Sequence, residues 1–182
     1  NFEVKQFYTP EIKNPILISH SFGTMVALDF LTRYQTQTKA SIFLSPSFKT
    51  QKKGAARLIY DIFSLMAKSN LLPLRLKVGN HVDYSHYKNT GDWNIRRMFA
   101  DIKNTGLRPY IYAVEQSFRF DHSAFLPEIN VPVLIIHGKK DTIFPVENSI
   151  IMAEKIKNSR LILLEKADHI LVLNNFEEVY RS

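Results

Sequence analysis

The feature that most constrains the fold is a serine between an apolar strand-like stretch and an apolar helix-like stretch, with almost no linker, in residues 16–26. The central Ser21 has a small residue on either side, Ser19 at i−2 and Gly23 at i+2. Small neighbours let the backbone close into a tight turn without a steric clash, and a helix that begins at the serine favours negative charge beside it. The pattern predicts a strained strand-to-helix turn that lifts the Ser21 hydroxyl clear of a sheet.

Length and composition bound the class of protein. A chain of 182 residues with 45% apolar content forms one domain, or one domain with an insert, and is not globally disordered. The absence of cysteine excludes disulfides, a thiol nucleophile and cysteine metal sites, and it fits a reducing compartment, so we expect a cytoplasmic location. No apolar run approaches the roughly 18 residues that a membrane span needs, and we expect no transmembrane segment.

The excess of positive charge lies in the middle of the chain. Residues 49–122 contain 13 Lys and Arg against 6 Asp and Glu, an excess of +7 that equals the net charge of the whole chain. This segment is therefore predicted to be a structural unit of its own. A basic surface can bind nucleic acid or an anionic membrane, but the segment has no basic motif interleaved with aromatic residues and no nucleic-acid fold signature. We interpret it as a solvated surface and expect no nucleic-acid partner.

Strands and helices alternate in the two outer parts of the chain. This alternation predicts an α/β fold with a parallel sheet, and fully apolar strands suit a sheet that is covered by helices on both faces. The helix after Ser21 is apolar nearly all round and is expected to be buried. The predicted strands are residues 15–20, 40–44, 131–137 and 160–164, and the predicted helices are residues 22–34 and 145–157, the latter with Pro145 at its first position.

The middle segment predicts helices only. Apolar residues at helical spacing indicate helices over residues 55–68 and 107–118. Between them, Asp92 can cap a helix that runs through Ile102, and Gly106 marks its end. We therefore predict a helical insert between two sheet strands. The predicted domains are a core of residues 1–46 and 125–182 and an insert of residues 47–124.

Three polar residues follow three of the predicted strands. Ser21 follows the first strand, Asp141 lies in the loop after the third, and His169 lies just past the fourth. Because the strands of a parallel sheet point the same way, all three lie at one edge, where α/β sheets place their sites. A histidine can take the proton of a serine hydroxyl, and a carboxylate can fix the far nitrogen of the ring. The histidines show no convincing metal-site spacing, and we expect no metal or other cofactor.

These motifs resemble those of the α/β-hydrolases with a helical cap. The order Ser, Asp, His along the chain is the order in that family, and residues 126–141 resemble the stretch that leads from the cap into the acid-bearing strand. The resemblance covers the C-terminal two-thirds or so of such a protein, from the nucleophile strand onward. It implies that Ser21 is the nucleophile, Asp141 the acid and His169 the base, with the backbone N–H of Phe22 as one oxyanion donor.

The resemblance implies a serine hydrolase that cleaves an ester or another acyl bond of a small-molecule substrate through an acyl-enzyme. A serine nucleophile argues against dehalogenase or epoxide hydrolase chemistry, which in this superfamily uses an aspartate at that position. The alternative is a ligand-binding or interaction protein that keeps the fold with little turnover. A third hypothesis is an anion or nucleic-acid binder that acts through the basic segment.

The sequence departs from the family pattern in two ways. Ser19 stands where the motif has its first glycine, and being small it is expected to preserve the turn. The chain also lacks what precedes the nucleophile strand, including the loop that gives the second oxyanion donor. Loss of one such donor costs roughly 10²–10³ in rate. We therefore expect a fragment that is not an efficient enzyme by itself.

Other residues near the predicted site have ordinary structural interpretations. Asp168 is the runner-up acid, interpreted as a solvated neighbour of the base. His20 is expected to point away from the site and to be packed or hydrogen-bonded, and His137 is interpreted as structural. One or two aromatic residues of the cap are expected to line a substrate cavity, the others to bury helix faces. The histidines expected on a solvated surface are His81, His86 and His122, and the cap aromatics are Tyr60, Phe63, Trp93, Phe99, Tyr110, Tyr112 and Phe118.

Overall fold

The computed structural model divides the chain into two compact units. It describes residues 12–50, 55–69 and 82–182. Within these, residues 12–48 and 121–182 form the first unit, and the described residues between Lys49 and Phe120 form the second. The assignment of the second unit as a cap stays a prediction.

A parallel sheet forms the centre of the first unit. Its strands are β1 (Ile16–His20), β2 (Ala40–Leu44), β3 (Val133–Gly138) and β4 (Ser159–Leu164). They lie side by side in the order β1-β2-β3-β4, and every neighbouring pair is parallel. The predicted α/β fold class with a parallel sheet is therefore confirmed. Each strand begins and ends within two residues of its predicted bounds.

Helices account for most of the remaining described chain. In chain order they are α1 (Phe22–Tyr34), α2 (Ala55–Lys68), α3 (Ile95–Thr105), α4 (Leu107–Arg119), α5 (Val146–Lys155), α6 (Leu171–Asn174) and α7 (Phe176–Tyr180). Helix α1 buries apolar side chains on most of its circumference, as its sequence predicted. Its buried residues are Thr24, Met25, Ala27, Leu28, Phe30 and Leu31.

Two helix starts differ from the prediction. Helix α5 begins at Val146, and Pro145 is its N-cap with an extended backbone (φ −60°, ψ 136°). The fixed φ of proline is compatible with both helical and extended conformations, so the residue type alone does not decide between the two positions. Helix α3 begins at Ile95 after the N-cap Asn94, whose side chain accepts a hydrogen bond from the backbone N–H of Arg97 at 2.9 Å. The predicted cap, Asp92, was wrong.

The sheet is not covered equally along its width. Strand β3 is mostly buried, which agrees with a sheet enclosed on both faces. On β1, however, Ile16 is 51% exposed and Ile18 is 68% exposed. Alternate residues of a strand point to opposite faces, so one face of this edge strand lies open in the described part of the chain.

The two stretches of the first unit are joined where the chain leaves it and returns. The backbone N–H of His122 donates to the carbonyl oxygen of Phe48 at 2.9 Å. The ring of His122 contacts Phe125, and burial lowers the pKa of this histidine. The expectation that His122 lies on a solvated surface was therefore wrong, because the residue belongs to this junction.

The regular structure in the described residues of the second unit is helical, apart from an isolated bridge at Lys49. Helix α4 packs against both α2 and α3, and Gly106 ends α3 with φ 89°, a conformation that glycine adopts without strain. His86 is exposed beside Asp83, as predicted. Trp93, Phe99 and Tyr112 are exposed, and Tyr110 and Phe118 are half-buried. His81 and the side chains of Tyr60 and Phe63 lie outside the described part of the chain.

Candidate active site

A tight turn places Ser21 between β1 and α1. Its backbone has φ 53° and ψ −125°, a conformation that L-residues other than glycine rarely adopt and that costs on the order of 1–3 kcal/mol. The N–H of Ser21 donates to the carbonyl of Leu44 at 3.0 Å, and its carbonyl accepts from the N–H of Thr24 at 2.9 Å. These bonds fix the turn to the end of β2 on one side and to the first turn of α1 on the other.

Small residues flank the turn, and they face each other. A Cβ atom built on Gly23 would lie 3.8 Å from Cβ of Ser19, an ordinary van der Waals contact. The hydroxyl of Ser19 donates to Oγ1 of Thr24 at 3.3 Å. A serine is therefore accommodated at a position where the family motif has glycine.

His169 connects Ser21 to Asp141. Its Nε2 lies 2.7 Å from Oγ of Ser21, and its Nδ1 lies 2.7 Å from Oδ2 of Asp141. Because a carboxylate oxygen only accepts, Nδ1 carries the proton and Nε2 is left to accept from the serine hydroxyl. The structure thus brings together the three side chains that the topology placed at one edge of the sheet.

Two rings enclose the imidazole of His169. His20 lies at a centroid distance of 5.2 Å with a tilt of 43°, and Phe144 meets the ring edge-on at 5.2 Å. The Nε2–H of His20 donates to the carbonyl of His169 at 2.8 Å. The expectation that His20 points away from the site was wrong, although it is hydrogen-bonded as expected. The expectation came from the alternation of side chains along a strand. That alternation does not continue through Ser21, because the positive φ of this residue turns the chain.

Burial sets the charge of His20. Loss of solvent lowers the pKa of His20 from 6.5 to about 4, and the hydrogen bond to the backbone of His169 opposes that change only in part. The ring beside His169 is therefore neutral near pH 7.

Hydrogen bonds surround the carboxylate of Asp141. Oδ1 accepts from the backbone N–H groups of Ile143 and Phe144, each at 2.8 Å. Oδ2 accepts from His169 and lies 3.1 Å from Nε2 of His137. Burial alone would raise the pKa of Asp141, but the hydrogen bonds from His137 and His169 outweigh it and hold this pKa below its ordinary value. The group therefore stays ionised across the neutral range.

His137 has a contact that sequence reasoning missed. It lies in β3 with a fully buried side chain, and its ring contacts Asp141, four residues further along the chain. A signal was present in the short spacing of histidine, glycine and aspartate after a strand. That spacing has no regular period, so it shows that two side chains are near each other in sequence without showing that they touch.

Asp168 has a different role from Asp141. Its Oδ1 accepts from the backbone N–H of Ile170 at 2.9 Å, and its Oδ2 accepts from the side chain of Asn174 at 2.8 Å. These contacts connect Asp168 to the N-cap residue of α6 and to its last residue. Asp168 is hydrogen-bonded and half-buried, and the carboxylate on the His169 ring is that of Asp141.

A close approach of two loops sets the distance between acid and histidine. A Cβ atom on Gly138 would lie 2.3 Å from the carbonyl oxygen of Ala167 and 2.6 Å from that of Asp168, so only glycine fits. The N–H of Lys140 donates to the same carbonyl of Ala167 at 2.9 Å. The loop after β3 therefore rests directly on the loop that carries His169.

Phe22 is the first residue of α1, so its N–H lies in the first turn of a helix, where backbone dipoles favour negative charge. In residues 12–50, 55–69 and 82–182, no group of three His, Asp or Glu side chains is placed to hold a metal ion. In that same part of the chain, no helix has the length and apolarity needed to cross a membrane.

The sequence matches the family described as alpha/beta hydrolase fold over residues 11–176. The chain belongs to the α/β-hydrolase fold family. The esterase EaEST from Exiguobacterium antarcticum superposes on it with a TM-score of 0.68 at 23% identity, over 98% of this chain and 67% of that one. At that level of identity the likeness shows the fold alone.

Two curated relatives of this α/β-hydrolase chain carry different activities in their names. Proline iminopeptidase PfmaB of Pestalotiopsis fici is 26% identical over 180 residues, which cover 90% of this chain and 63% of that protein. Pimeloyl-[acyl-carrier protein] methyl ester esterase of Neisseria meningitidis is 33% identical over 95 residues, which cover 50% of this chain and 37% of that protein. The chain thus spans less than two thirds of the length of either relative.

Proposed function

We propose that this chain carries the reacting residues of a serine hydrolase that cleaves an ester or another acyl bond. The observation that carries the proposal is the position of His169, whose ring nitrogens lie 2.7 Å from Ser21 Oγ and 2.7 Å from Asp141 Oδ2. A serine hydroxyl becomes a useful nucleophile when such a base accepts its proton. The ionised state of Asp141 suits it to hold the ring and to stabilise the imidazolium that forms.

The reaction proceeds in two halves. Oγ of Ser21 attacks the carbonyl carbon while Nε2 of His169 takes the hydroxyl proton, and the histidine then gives that proton to the leaving group. An acyl-enzyme on Ser21 results. In the second half, His169 takes a proton from water, the hydroxide attacks the acyl carbon, and the proton returns to Ser21 Oγ as the acid departs. Asp141 stays ionised throughout.

The negative charge of each tetrahedral intermediate needs hydrogen-bond donors. We assign one of these to the backbone N–H of Phe22, because it lies in the first turn of α1, next to the attacking oxygen. Phe22 directly follows Ser21 along the chain, so this N–H and the serine Oγ belong to neighbouring residues.

The names of the relatives support the bond class and do not select one substrate. One is named as an iminopeptidase and the other as a methyl ester esterase, and both bond types present an acyl carbon to a nucleophile. We propose that the helical second unit is a cap that selects the substrate.

A fluorophosphonate probe on the full-length protein tests the proposal. We expect the probe to label wild type and to fail on Ser21→Ala. The matched control is Ser45→Ala. Ser45 directly follows β2, has φ 44° and, among the described residues, has no hydrogen-bond partner for its buried Oγ. Removing that hydroxyl therefore costs little folding free energy, and Ser45→Ala should be labelled like wild type.

Two results would contradict the proposal. Equal labelling of wild type and Ser21→Ala would show that another residue reacts. No labelling of a folded wild-type protein would favour the alternative, a binding protein that keeps the fold with little turnover. Where wild type turns substrate over, Ser21→Ala and His169→Ala should each lower kcat by roughly 10⁴–10⁶, and a loss below about tenfold would refute the assigned role.

A further inference from the structure

A second histidine contacts Asp141, and a second serine contacts that histidine. Oγ of Ser149 lies 2.6 Å from Nδ1 of His137, and Nε2 of His137 lies 3.1 Å from Oδ2 of Asp141. Both side chains are fully buried. This pair repeats the chemical order of Ser21 and His169 on the same carboxylate, but in a place that substrate does not reach.

The partners of His137 determine which of its nitrogens carries the proton. Nε2 lies within hydrogen-bonding distance of two groups that only accept, Oδ2 of Asp141 at 3.1 Å and the carbonyl oxygen of Phe144 at 3.2 Å. Both acceptors favour a proton on Nε2. Donation from the hydroxyl of Ser149 to Nδ1 then fixes the Nε2–H tautomer of His137.

Oδ2 of Asp141 is thus shared by two imidazoles. It accepts from Nδ1–H of His169 at 2.7 Å and from Nε2–H of His137, while backbone N–H groups occupy Oδ1. A hydrogen-bond donor on Oδ2, the oxygen that contacts His169, draws negative charge away from the bond to His169 and fixes the orientation of the carboxylate. The titratable groups that face this carboxylate are His137 and His169, with His20 close behind the latter.

We propose that His137, with its tautomer fixed by Ser149, is a positioning residue that aims Asp141 at His169 and moderates the hold of the carboxylate on the His169 proton. The proposal rests on the proposed function, since it assigns Asp141 and His169 their roles in acyl transfer. It gives His137 and Ser149 a role in the reaction in addition to packing in the core.

The first test follows the rate of Ser21-dependent fluorophosphonate labelling of the full-length protein from pH 5 to 9. His137→Phe keeps an aromatic ring at this position and removes the donor. We expect this variant to slow labelling about tenfold to a hundredfold. We also expect the acid limb of its pH–rate profile, where His169 becomes protonated, to move to higher pH by about half a unit, because the carboxylate then binds the His169 proton more strongly. His137→Gln can still donate to Oδ2 and should recover most of the rate and the limb.

Ser149→Ala leaves His137 in place and removes only the group that fixes its tautomer. We expect a smaller loss of rate than for His137→Phe, with a shift of the limb in the same direction. The matched control is Ser159→Ala. The hydroxyl of Ser159 bonds to the carbonyls of Ala153 and Ile156 at the end of the same helix, α5, without touching His137, so its profile should match wild type.

The second test needs no activity. Two-bond ¹H–¹⁵N correlation spectra of ¹⁵N-histidine-labelled protein should show His137 as the neutral Nε2–H tautomer, and Ser149→Ala should raise the Nδ1–H population. A wild-type His137 found as the Nδ1–H tautomer or as an imidazolium would overturn the inference. This readout decides the point even if His137→Phe does not fold.

The two proposals fail in different ways. If wild type is not labelled at Ser21, the proposed function fails, and the spectra still test the state of His137. If wild type is labelled but neither His137→Phe nor Ser149→Ala moves the acid limb, the positioning role fails and the hydrolase proposal stands. His137→Phe could also label more slowly without any shift in the acid limb of the pH–rate profile. If His137→Gln then fails to restore the rate, the effect is one of packing only, and the inference is overturned.

Discussion

Two aspartates close to one histidine show how surroundings decide the chemistry of a side chain. Both Asp141 and Asp168 accept backbone N–H donors through Oδ1. They differ at Oδ2, which meets the imidazole of His169 in one and the amide of Asn174 in the other. A carboxylate on the ring nitrogen stabilises an imidazolium, whereas a carboxylate at a helix start stabilises backbone.

The difference predicts opposite results for matched substitutions. Asp141→Asn should lower kcat by about 10⁴, because the amide holds the wrong tautomer of His169. Asp168→Asn keeps an acceptor for the N–H of Ile170 and should change kcat by less than about fivefold, with a loss of stability of about 1 kcal/mol. Steady-state kinetics and urea unfolding of both variants measure these effects. A larger loss of kcat in Asp168→Asn than in Asp141→Asn would reverse the assignment of the acid.

At the level of elements, the contact between the loops after β3 and β4 carries the site. Gly138 lies where these loops meet, and the carbonyl oxygens of Ala167 and Asp168 leave no room for a Cβ atom. Those two residues directly precede His169. Any side chain at position 138 must therefore push the histidine loop away from the acid.

Gly138→Ala tests this contact. We expect a loss of about 1–3 kcal/mol in the free energy of unfolding and a fall in kcat of at least about tenfold, because His169 is displaced. Gly91→Ala is the matched control, since in the described structure a Cβ atom at Gly91 would have nothing within 4 Å. Urea unfolding and fluorophosphonate labelling measure both effects. A Gly138→Ala protein that is as stable and as reactive as Gly91→Ala would show that the loops are free to separate.

Much of this element structure follows from local pattern. The bounds of α1 and β2 were predictable because an apolar period and a sharp turn fix them. The meeting of Ser21, Asp141 and His169 followed from topology, since parallel strands end at one edge. The N-cap Asn94 was not predictable, because Asp92 is an equally good capping residue type. The contacts of His20 and His137 depend on how a turn and a loop close in space, which no sequence period records.

For the whole molecule, buried ionisable groups determine how stability depends on pH. The pKa of His20 is about 4 in the folded protein, against 6.5 ordinarily. Above about pH 6.5 neither state is protonated. As the pH falls from 6.5 to 4, His20 binds a proton in the unfolded chain but not in the folded chain, so the free energy of unfolding falls. The lowered pKa of Asp141 acts later, since its contribution is lost only below its ordinary range.

We therefore expect wild type to lose on the order of 3 kcal/mol of stability between pH 6.5 and 4 through His20. His20→Gln keeps a donor for the carbonyl of His169 and cannot be protonated, so its stability should fall less over this range. His122, whose pKa burial also lowers, would account for part of the remaining slope. Urea unfolding at pH 7.5, 6.5, 5.5 and 4.5 measures both proteins, and equal slopes would exclude His20 as the cause.

The hydrogen bond between the N–H of His122 and the carbonyl of Phe48 has a consequence for how such a chain can vary. The two ends of the segment between Phe48 and His122 therefore lie next to each other. The segment does not have to bridge any distance set by the sheet. Doubling the length of a flexible loop costs only about 0.6 kcal/mol in closure entropy. Insertions, deletions or the exchange of this whole segment for another can therefore leave the paired strands β2 and β3 in place.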